Sequence, residues 1–273
     1  MKIRLPKLVQ CAARPLAVLC AAGFAILAYV YLTLPDVRPL ATVNPTSTAF
    51  MELRQGEAAR EGRGLRHVHR WVRYSRISQN LKRAVLVAED DAFWDHEGVD
   101  LEQIRQSIEI NLERGRAVRG ASTITQQLAK NLYLSPSRDP LRKLRELIIA
   151  RRLEAALTKA RILEIYLNVI EWGDGIWGAE AAARTYFGIP ASALSAEQSA
   201  LLAGAISNPR RLNPARPSRG LLRRQSIILG RMGRVTLPAA VQTPAVISQP
   251  RQDDPPTDEP GSVPAESSVS GSN

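Results

Sequence analysis

The 273-residue sequence is poor in cysteine, histidine and aromatic residues. Both of its cysteines, Cys11 and Cys20, lie near the N-terminus. The rest of the chain therefore offers no disulfide, no cysteine-based metal site and no cysteine nucleophile. The three histidines do not fall at zinc-ligand spacing, and aromatic residues make up only 5% of the chain. A low aromatic content favours helices over sheets, so we expect a mainly α fold.

One segment near the N-terminus lacks charge altogether. Residues 15–34 form an uncharged, largely apolar run, and a helix of that length rises about 30 Å, the thickness of a bilayer's hydrocarbon core. Four basic residues precede the run and only Arg38 follows closely, which places the N-terminus in the cytoplasm. We predict a basic cytoplasmic segment over 1–14 and a transmembrane anchor over 15–35. The alternative, a cleaved signal peptide, is disfavoured by the length of the run and by the lack of a small-x-small cleavage site.

The C-terminal segment lacks aromatic residues, and its charge is opposite to that of the rest of the chain. From residue 235 onward one base stands against five acids, and seven prolines lie between Pro238 and Pro264. Such a composition cannot bury enough apolar surface to offset the entropy of ordering, so we predict a disordered, proline-rich acidic tail over 235–273. The formal charge is +11 for the chain and −4 for this tail, which leaves +15 for the remainder. Such a strong positive charge over residues 1–234 indicates an anionic partner: nucleic acid, a phospholipid surface or a phosphorylated substrate.

Between the two ends the hydrophobic pattern is helical. Apolar residues recur at three- and four-residue steps from residue 78 onward. The same periodicity returns in four segments: 101–112, 124–134, 141–157 and 162–169. A capping-box pattern at Ser195 and Gln198 predicts the start of a further helix. We therefore predict a polar connector over 36–75 and a mainly α domain over 76–234.

An acidic segment follows the first of these helices. Residues 89–98 hold five carboxylates beside two aromatic residues and one histidine. A carboxylate at a helix C-terminus meets the negative end of the helix dipole, which disfavours the ionised form and raises its pKa. Glu89 occupies that position, and a raised pKa suits a general base that works near neutrality. The alternative is a solvated helix end, with Phe93 and Trp94 as core anchors.

A second segment places polar side chains on one helical face. In a helix that begins near residue 122, Thr123, Gln127 and Lys130 share a face of hydroxyl, amide and ammonium groups. Such a face could hold a sugar and a phosphate. The alternative is an ordinary amphipathic helix whose polar side faces water.

A third segment concentrates positive charge. Arg142 and Glu146 are i,i+4 neighbours on a helix, with Arg138 and Lys143 close by. This cluster could stabilise a diphosphate leaving group by charge and by forked hydrogen bonds. The alternative is a surface salt bridge of little energetic value.

In residues and in order, these segments resemble the motifs of the peptidoglycan glycosyltransferase family, glycosyltransferase family 51. Its first motif, Glu-Asp-x-x-Phe-x-x-His-x-Gly, is met at 89–98, and Gly-Ala-Ser-Thr-Ile-Thr-Gln-Gln stands unaltered at 120–127. Its Arg-Lys-x-x-Glu motif is met at 142–146 and its Ile-Leu-x-x-Tyr-Leu-Asn motif at 162–168. A later Gly-x-x-Ala-Ala-x-x-Tyr-Phe-Gly type of pattern occurs at 178–188 with one extra residue.

The resemblance spans roughly residues 70–215, and it implies a lysozyme-like, mainly α glycosyltransferase domain behind a single N-terminal transmembrane helix. The domain would lie on the periplasmic side of the inner membrane and polymerise lipid II into glycan strands with inversion, releasing polyprenyl diphosphate. Its partners would be lipid II, the nascent glycan strand, membrane phospholipids and other cell-wall synthesis or division proteins. Nucleic acid is not expected as a partner, because the domain lies outside the cytoplasm and carries no recognition module. No lysine has a serine three residues before it, so no transpeptidase activity is expected.

The resemblance also implies roles for individual residues. Glu89 would deprotonate the acceptor's 4-hydroxyl, and Glu146 would be a second catalytic carboxylate, with a divalent cation such as Mg or Mn. Four cations would hold the donor diphosphate: Lys130, Arg138, Arg142 and Lys143. Five further residues are expected to bind substrate: Asp90, Phe93, His96, Thr123 and Gln127.

Two other functions remain open at this point. A glycan-cleaving enzyme of lysozyme-like fold would use Glu89 as an acid, but it would not need a cation cluster. A catalytically silent scaffold would recruit wall-synthesis proteins through the acidic tail, although the intact carboxylates disfavour silence.

Overall fold

The computed structural model describes residues 7–64, 66–115, 122–137 and 139–238, and the side chains of all of these except 7–14, 16 and 30. Within the described residues the chain forms ten α-helices and three very short strands. The helices are α1 (Lys7–Leu32), α2 (Ala49–Arg60), α3 (Gln79–Glu89), α4 (Leu101–Glu113), α5 (Ile124–Tyr133), α6 (Pro140–Ala156), α7 (Lys159–Val169), α8 (Ala179–Phe187), α9 (Ala196–Ala205) and α10 (Arg219–Met232). The strands are β1 (Val68–His69), β2 (Glu171–Gly173) and β3 (Ile176–Trp177). The predicted mainly α architecture is confirmed.

Side-chain caps set the beginnings of the helices that periodicity predicted. The Ser78 hydroxyl accepts a hydrogen bond from the Leu81 amide at 3.0 Å and begins α3. Ser195 and Gln198 form the predicted capping box at the start of α9, with both reciprocal bonds present. Each cap satisfies a backbone donor that the first helical turn leaves without a partner.

Helix α7 lies at the centre of the fold. Its residues from Ala160 to Val169 are all buried, as expected for a helix that neighbours cover on every side. Helices α5 and α6 pack beside it, while α3 packs against α9 and α10. The buried Arg161 pairs with Glu164 at 2.8 Å and donates to the Leu40 carbonyl at 2.8 Å. Central α7 is thereby tied to the segment that follows α1.

The region predicted as a polar connector, 36–75, is folded onto the domain. It contains α2 and β1, and Met51 of α2 is only 1% exposed. Strand β1 pairs in parallel with β3, which pairs antiparallel with β2, so the strand order is β1-β3-β2. Arg54 of α2 forms an ion pair with Glu171 of β2 at 3.1 Å. Sequence periodicity missed α2 because its apolar residues form no continuous stripe, and the helix buries only Met51 and Ala58.

Helix α1 ends against α6. Arg152 of α6 donates to the Tyr31 carbonyl at 3.2 Å, and its guanidinium lies 4.4 Å from the centre of the Tyr31 ring. Among the described residues, none of the helices combines the length and the apolar character needed to cross a membrane. The anchor over 15–35 therefore stays a prediction. Residues 1–6 of the predicted cytoplasmic segment, and the predicted tail from residue 239 onward, lie outside the described residues.

Candidate active site

Glu89 is the last residue of α3, at the point where three helices meet. Its carboxylate accepts a hydrogen bond from Gln127 Nε2 of α5 at 3.0 Å. On the other side, Arg224 Nη2 of α10 lies 3.6 Å from Glu89 Oε1. The Glu89 side chain is 13% exposed, so it remains accessible while most of its surface is shielded from water.

Burial raises the pKa of the Glu89 carboxyl above its ordinary value. The hydrogen bond from Gln127 and the charges of Arg224 and Lys130 oppose that rise, whereas the neighbouring Asp90 adds to it. The predicted direction of the shift is confirmed, and desolvation by burial is its largest cause. A partly shielded carboxylate with a raised pKa has the properties of a general base.

Asp90 joins the acidic segment to the start of α5. The residue is 1% exposed, and its Oδ2 accepts a hydrogen bond from the Ile124 amide at 2.8 Å. His96 Nε2 lies 3.0 Å from Asp90 Oδ1. A carboxylate at a helix N-terminus meets unpaired N–H groups and the positive end of the dipole. Asp90 therefore fixes α5 relative to Glu89.

His96, Phe93 and Thr123 lie behind the site. His96 Nδ1 accepts from the Gly98 amide at 3.1 Å, which leaves Nε2 to donate to Asp90. Thr123 is fully buried, donates to the Gly98 carbonyl at 2.7 Å and caps α5 by accepting from the Gln126 amide. Phe93 is a fully buried core residue. Substrate contact by these side chains and by Asp90 stays a prediction, and their burial gives it no support.

Glu146 forms ion pairs with two of the predicted cations. Its carboxylate is 2% exposed and pairs with Arg142 Nη1 at 2.6 Å and with Lys143 Nζ at 2.5 Å. Lys143 Nζ also lies 3.3 Å from the Ser122 hydroxyl and from Gln126 Oε1, which connects α6 to the start of α5. Arg138, the fourth predicted cation, lies outside the described residues.

Lys130 interacts electrostatically with both carboxylates of the site. Burial lowers the pKa of its ammonium group, and the charges of both Glu146 and Glu89 oppose that fall. The charges of Arg142 and Lys143 lower it further. The pKa of the Lys130 ammonium group therefore depends on the base and on the cation cluster alike.

The surroundings of Glu146 do not fit a metal ion held by the protein alone. Both of its oxygens already accept from cationic groups. Across the described part of the chain, no three His, Cys, Asp or Glu residues are grouped so that they could hold a metal. Mg²⁺ and Mn²⁺ prefer several oxygen ligands, and a single carboxylate between two cations offers few. The divalent cation therefore stays an untested expectation, and no step below depends on it.

Two residues of the site were missed by sequence reasoning. Arg224 belongs to no motif, and only the basic character of α10 hinted at it. Tyr166 was recognised within the motif at 162–168 but received no role. Its hydroxyl donates to Gln127 Oε1 at 2.9 Å, which brings it within one residue of the base.

Comparison with known proteins agrees with this arrangement. The family model described as "Transglycosylase" matches residues 55–233, a range that includes Glu89, Lys130 and Glu146. The chain is 52% identical over 195 residues to the biosynthetic peptidoglycan transglycosylase of Laribacter hongkongensis, covering 71% of this chain and 86% of the relative. It is 50% identical to that of Nitrosomonas eutropha, covering 72% and 81%, and 54% identical to that of Aromatoleum aromaticum, covering 62% and 73%. The chain therefore belongs to the transglycosylase family.

Proposed function

We propose that this chain polymerises the glycan strands of peptidoglycan. It transfers the growing, polyprenyl-diphosphate-linked strand onto the 4-hydroxyl of lipid II and releases polyprenyl diphosphate. The observation that carries the proposal is that helix α5 contacts both sides of the site: Gln127 donates to the shielded Glu89 carboxylate, and Gln126 accepts from Lys143 of the cation cluster around Glu146. Family membership and the names of the relatives support it. A lysozyme-like arrangement of the domain is part of the same proposal.

The base side of the reaction depends on Glu89. Its ionised carboxylate takes the proton of the acceptor's 4-hydroxyl, and the freed oxygen attacks C1 of the donor sugar. Attack from the face opposite the diphosphate inverts the centre, so an α-linked donor yields a β-1,4 bond. A pKa raised by burial brings the base closer to the working pH, which favours proton transfer.

The leaving-group side depends on the cations. As the bond between C1 and the diphosphate oxygen breaks, its electron pair stays on the diphosphate. Lys130, Arg142 and Lys143 stabilise that charge, and fixed cations stabilise it best when they need no rearrangement. Glu146, buried between Arg142 and Lys143, holds them in place. Its predicted catalytic role is thus a positioning role in our proposal.

Cation placement also favours polymerisation over the two rival functions. Cleavage of a finished glycan leaves a sugar hydroxyl, which needs a proton donor and gains little from three cations. A silent scaffold would not need a shielded carboxylate beside them.

We further propose that the enzyme works at the membrane surface. The sequence run over 15–34 supports a single-pass anchor with a cytoplasmic N-terminus and a periplasmic domain at the inner membrane. Helix α4 supports phospholipid contact, because Leu101, Ile108 and Leu112 share one face and are each more than half exposed. Recruitment of other cell-wall synthesis or division proteins by the acidic tail stays a prediction.

Product analysis tests the reaction. Purified chain in detergent is given labelled lipid II, and a parallel sample is given purified sacculi. We expect long uncross-linked glycan and free polyprenyl diphosphate from lipid II, with no release from sacculi. Moenomycin, which resembles a phosphoglycolipid donor, should inhibit, and penicillin should not. Soluble muropeptides from sacculi without polymer from lipid II would instead identify a cleaving enzyme.

A further inference from the structure

Tyr166 places a hydroxyl group inside the core, directly behind the base. The residue belongs to central α7 and has no exposed surface. Its hydroxyl donates to Gln127 Oε1 at 2.9 Å. Burial, together with the nearby charges of Glu89 and Asp90, raises the pKa of the phenol well above its ordinary value. Tyr166 therefore stays protonated and remains a donor at every pH at which the enzyme works.

The hydrogen bond from Tyr166 fixes the orientation of the Gln127 side-chain amide and so determines which group faces Glu89. With Gln127 Oε1 held by Tyr166, the amide nitrogen points to Glu89 Oε2 at 3.0 Å and to the Ser122 carbonyl at 3.4 Å. If the amide turned over, its oxygen would face the Glu89 carboxylate, and two acceptors would meet in a partly buried place. Hydrogen bonds to charged groups are stronger than those between neutral groups, so this orientation matters most when Glu89 is ionised.

We propose that Tyr166 is a positioning residue for the transfer reaction, which acts through Gln127 to hold the Glu89 carboxylate aimed at the acceptor. This inference rests on the proposed role of Glu89 as the base. Tyr166 itself touches neither substrate nor reacting atoms, because no part of it is exposed. The tyrosine of the motif at 162–168 thus receives a function in the site, beyond filling the core.

Removal of the hydroxyl has a predictable electrostatic result. The groups that face Glu89 are Gln127 and Lys130 of α5, Arg224 of α10 and the adjacent Asp90. Tyr166→Phe leaves the three charged neighbours in place and frees only the Gln127 amide. Because the Gln127 bond stabilises the ionised carboxylate and lowers its pKa, weakening it raises the pKa of Glu89 further. The acid limb of the pH–rate profile then moves to higher pH.

The test compares Tyr166→Phe with the wild type in lipid II polymerisation across pH. We expect kcat at neutral pH to fall about tenfold, the size of one well-placed hydrogen bond, with KM unchanged and the acid limb at higher pH. Tyr186→Phe is the matched control, since its hydroxyl donates to the Trp172 carbonyl at 3.3 Å and has no contact with Glu89. It should keep the wild-type profile, and melting temperatures of both variants monitor folding.

A double-mutant cycle separates the effect of Tyr166 through Gln127 from general damage to the core. If Tyr166 acts only through Gln127, then Tyr166→Phe added to Gln127→Ala should cause no further shift of the acid limb. Equal shifts with and without Gln127, or a Tyr166→Phe enzyme with wild-type kcat and pH profile, would overturn the inference. Failure of the proposed function would look different, because the wild type itself would then make no polymer.

Discussion

The buried Asp90 carboxylate, which connects the acidic segment to the start of α5, yields a prediction that separates a structural role from substrate binding. The carboxylate accepts from the Ile124 amide at 2.8 Å and from His96 at 3.0 Å. Asp90→Asn keeps the shape but replaces one acceptor oxygen with an NH₂ group. Whichever way the amide lies, that group faces a donor. His96 cannot resolve the conflict by moving its proton, because Nδ1 already accepts from the Gly98 amide.

The cost follows from these contacts. A buried donor left without an acceptor costs about 1–3 kcal/mol, and the lost charge at the α5 N-terminus adds about 0.3–1 kcal/mol. We therefore expect the free energy of unfolding to fall by about 1.3–4 kcal/mol. For a domain of this size that corresponds to a melting temperature lower by roughly 3–16 °C.

Circular dichroism melts in detergent measure the effect, and Asp91→Asn is the matched control. Asp91 is the next residue and is exposed, so the same chemical change there should cost less than about 0.5 kcal/mol. Because Asp90 is buried, kcat should fall while KM for lipid II stays near the wild-type value. If Asp90→Asn melts like Asp91→Asn and raises KM, the carboxylate binds substrate and the structural reasoning is wrong.

Three further predictions concern the base, the cations and the tail. Glu89→Gln should lower the rate by about two to four orders of magnitude with substrate binding intact, and more than a tenth of wild-type polymerisation would exclude Glu89 as the base. The folded-state pKa of Glu89 is raised, so ionisation of this carboxyl destabilises the folded wild type as pH rises past the unfolded-state pKa. The Glu89→Gln variant cannot ionise there and should melt no lower than the wild type at pH 7. Alanine at Lys130, Arg142 or Lys143 should weaken donor use and make binding less sensitive to salt; wild-type turnover in all three would refute the diphosphate site. A stop codon after Pro238 should leave melting temperature and turnover unchanged, and a marked fall in either would show that the tail packs on the domain.

Sequence reasoning succeeded where periodicity and caps act locally. The helices from α3 to α7 begin and end within about three residues of the predicted bounds. It missed α10 because arginines interrupt an apolar stripe that consists of Leu221, Ile228 and Met232.

The direction in which a motif side chain points was not accessible from the sequence. The motifs single out Phe93, His96 and Thr123, but only the packing shows that Phe93 and Thr123 are fully buried and that the His96 side chain is 9% exposed. Arg224 and Tyr166 reach Glu89 through contacts between distant segments. Residue spacing within one segment contains no information about such contacts.

The spacing of residues along helix α5 limits which kinds of sequence change the enzyme can tolerate. Gln127 donates a hydrogen bond to the base, and the charges of the cation cluster lower the pKa of Lys130. These two residues lie three positions apart on this helix. Their separation along the axis is thus about 4.5 Å, set by backbone geometry alone. One residue inserted between them would turn Lys130 by about 100° away from its partners while Gln127 stayed in place. Point changes elsewhere on α5 leave this spacing unchanged, whereas a change in the length of the helix would separate proton removal from leaving-group stabilisation in a single evolutionary step.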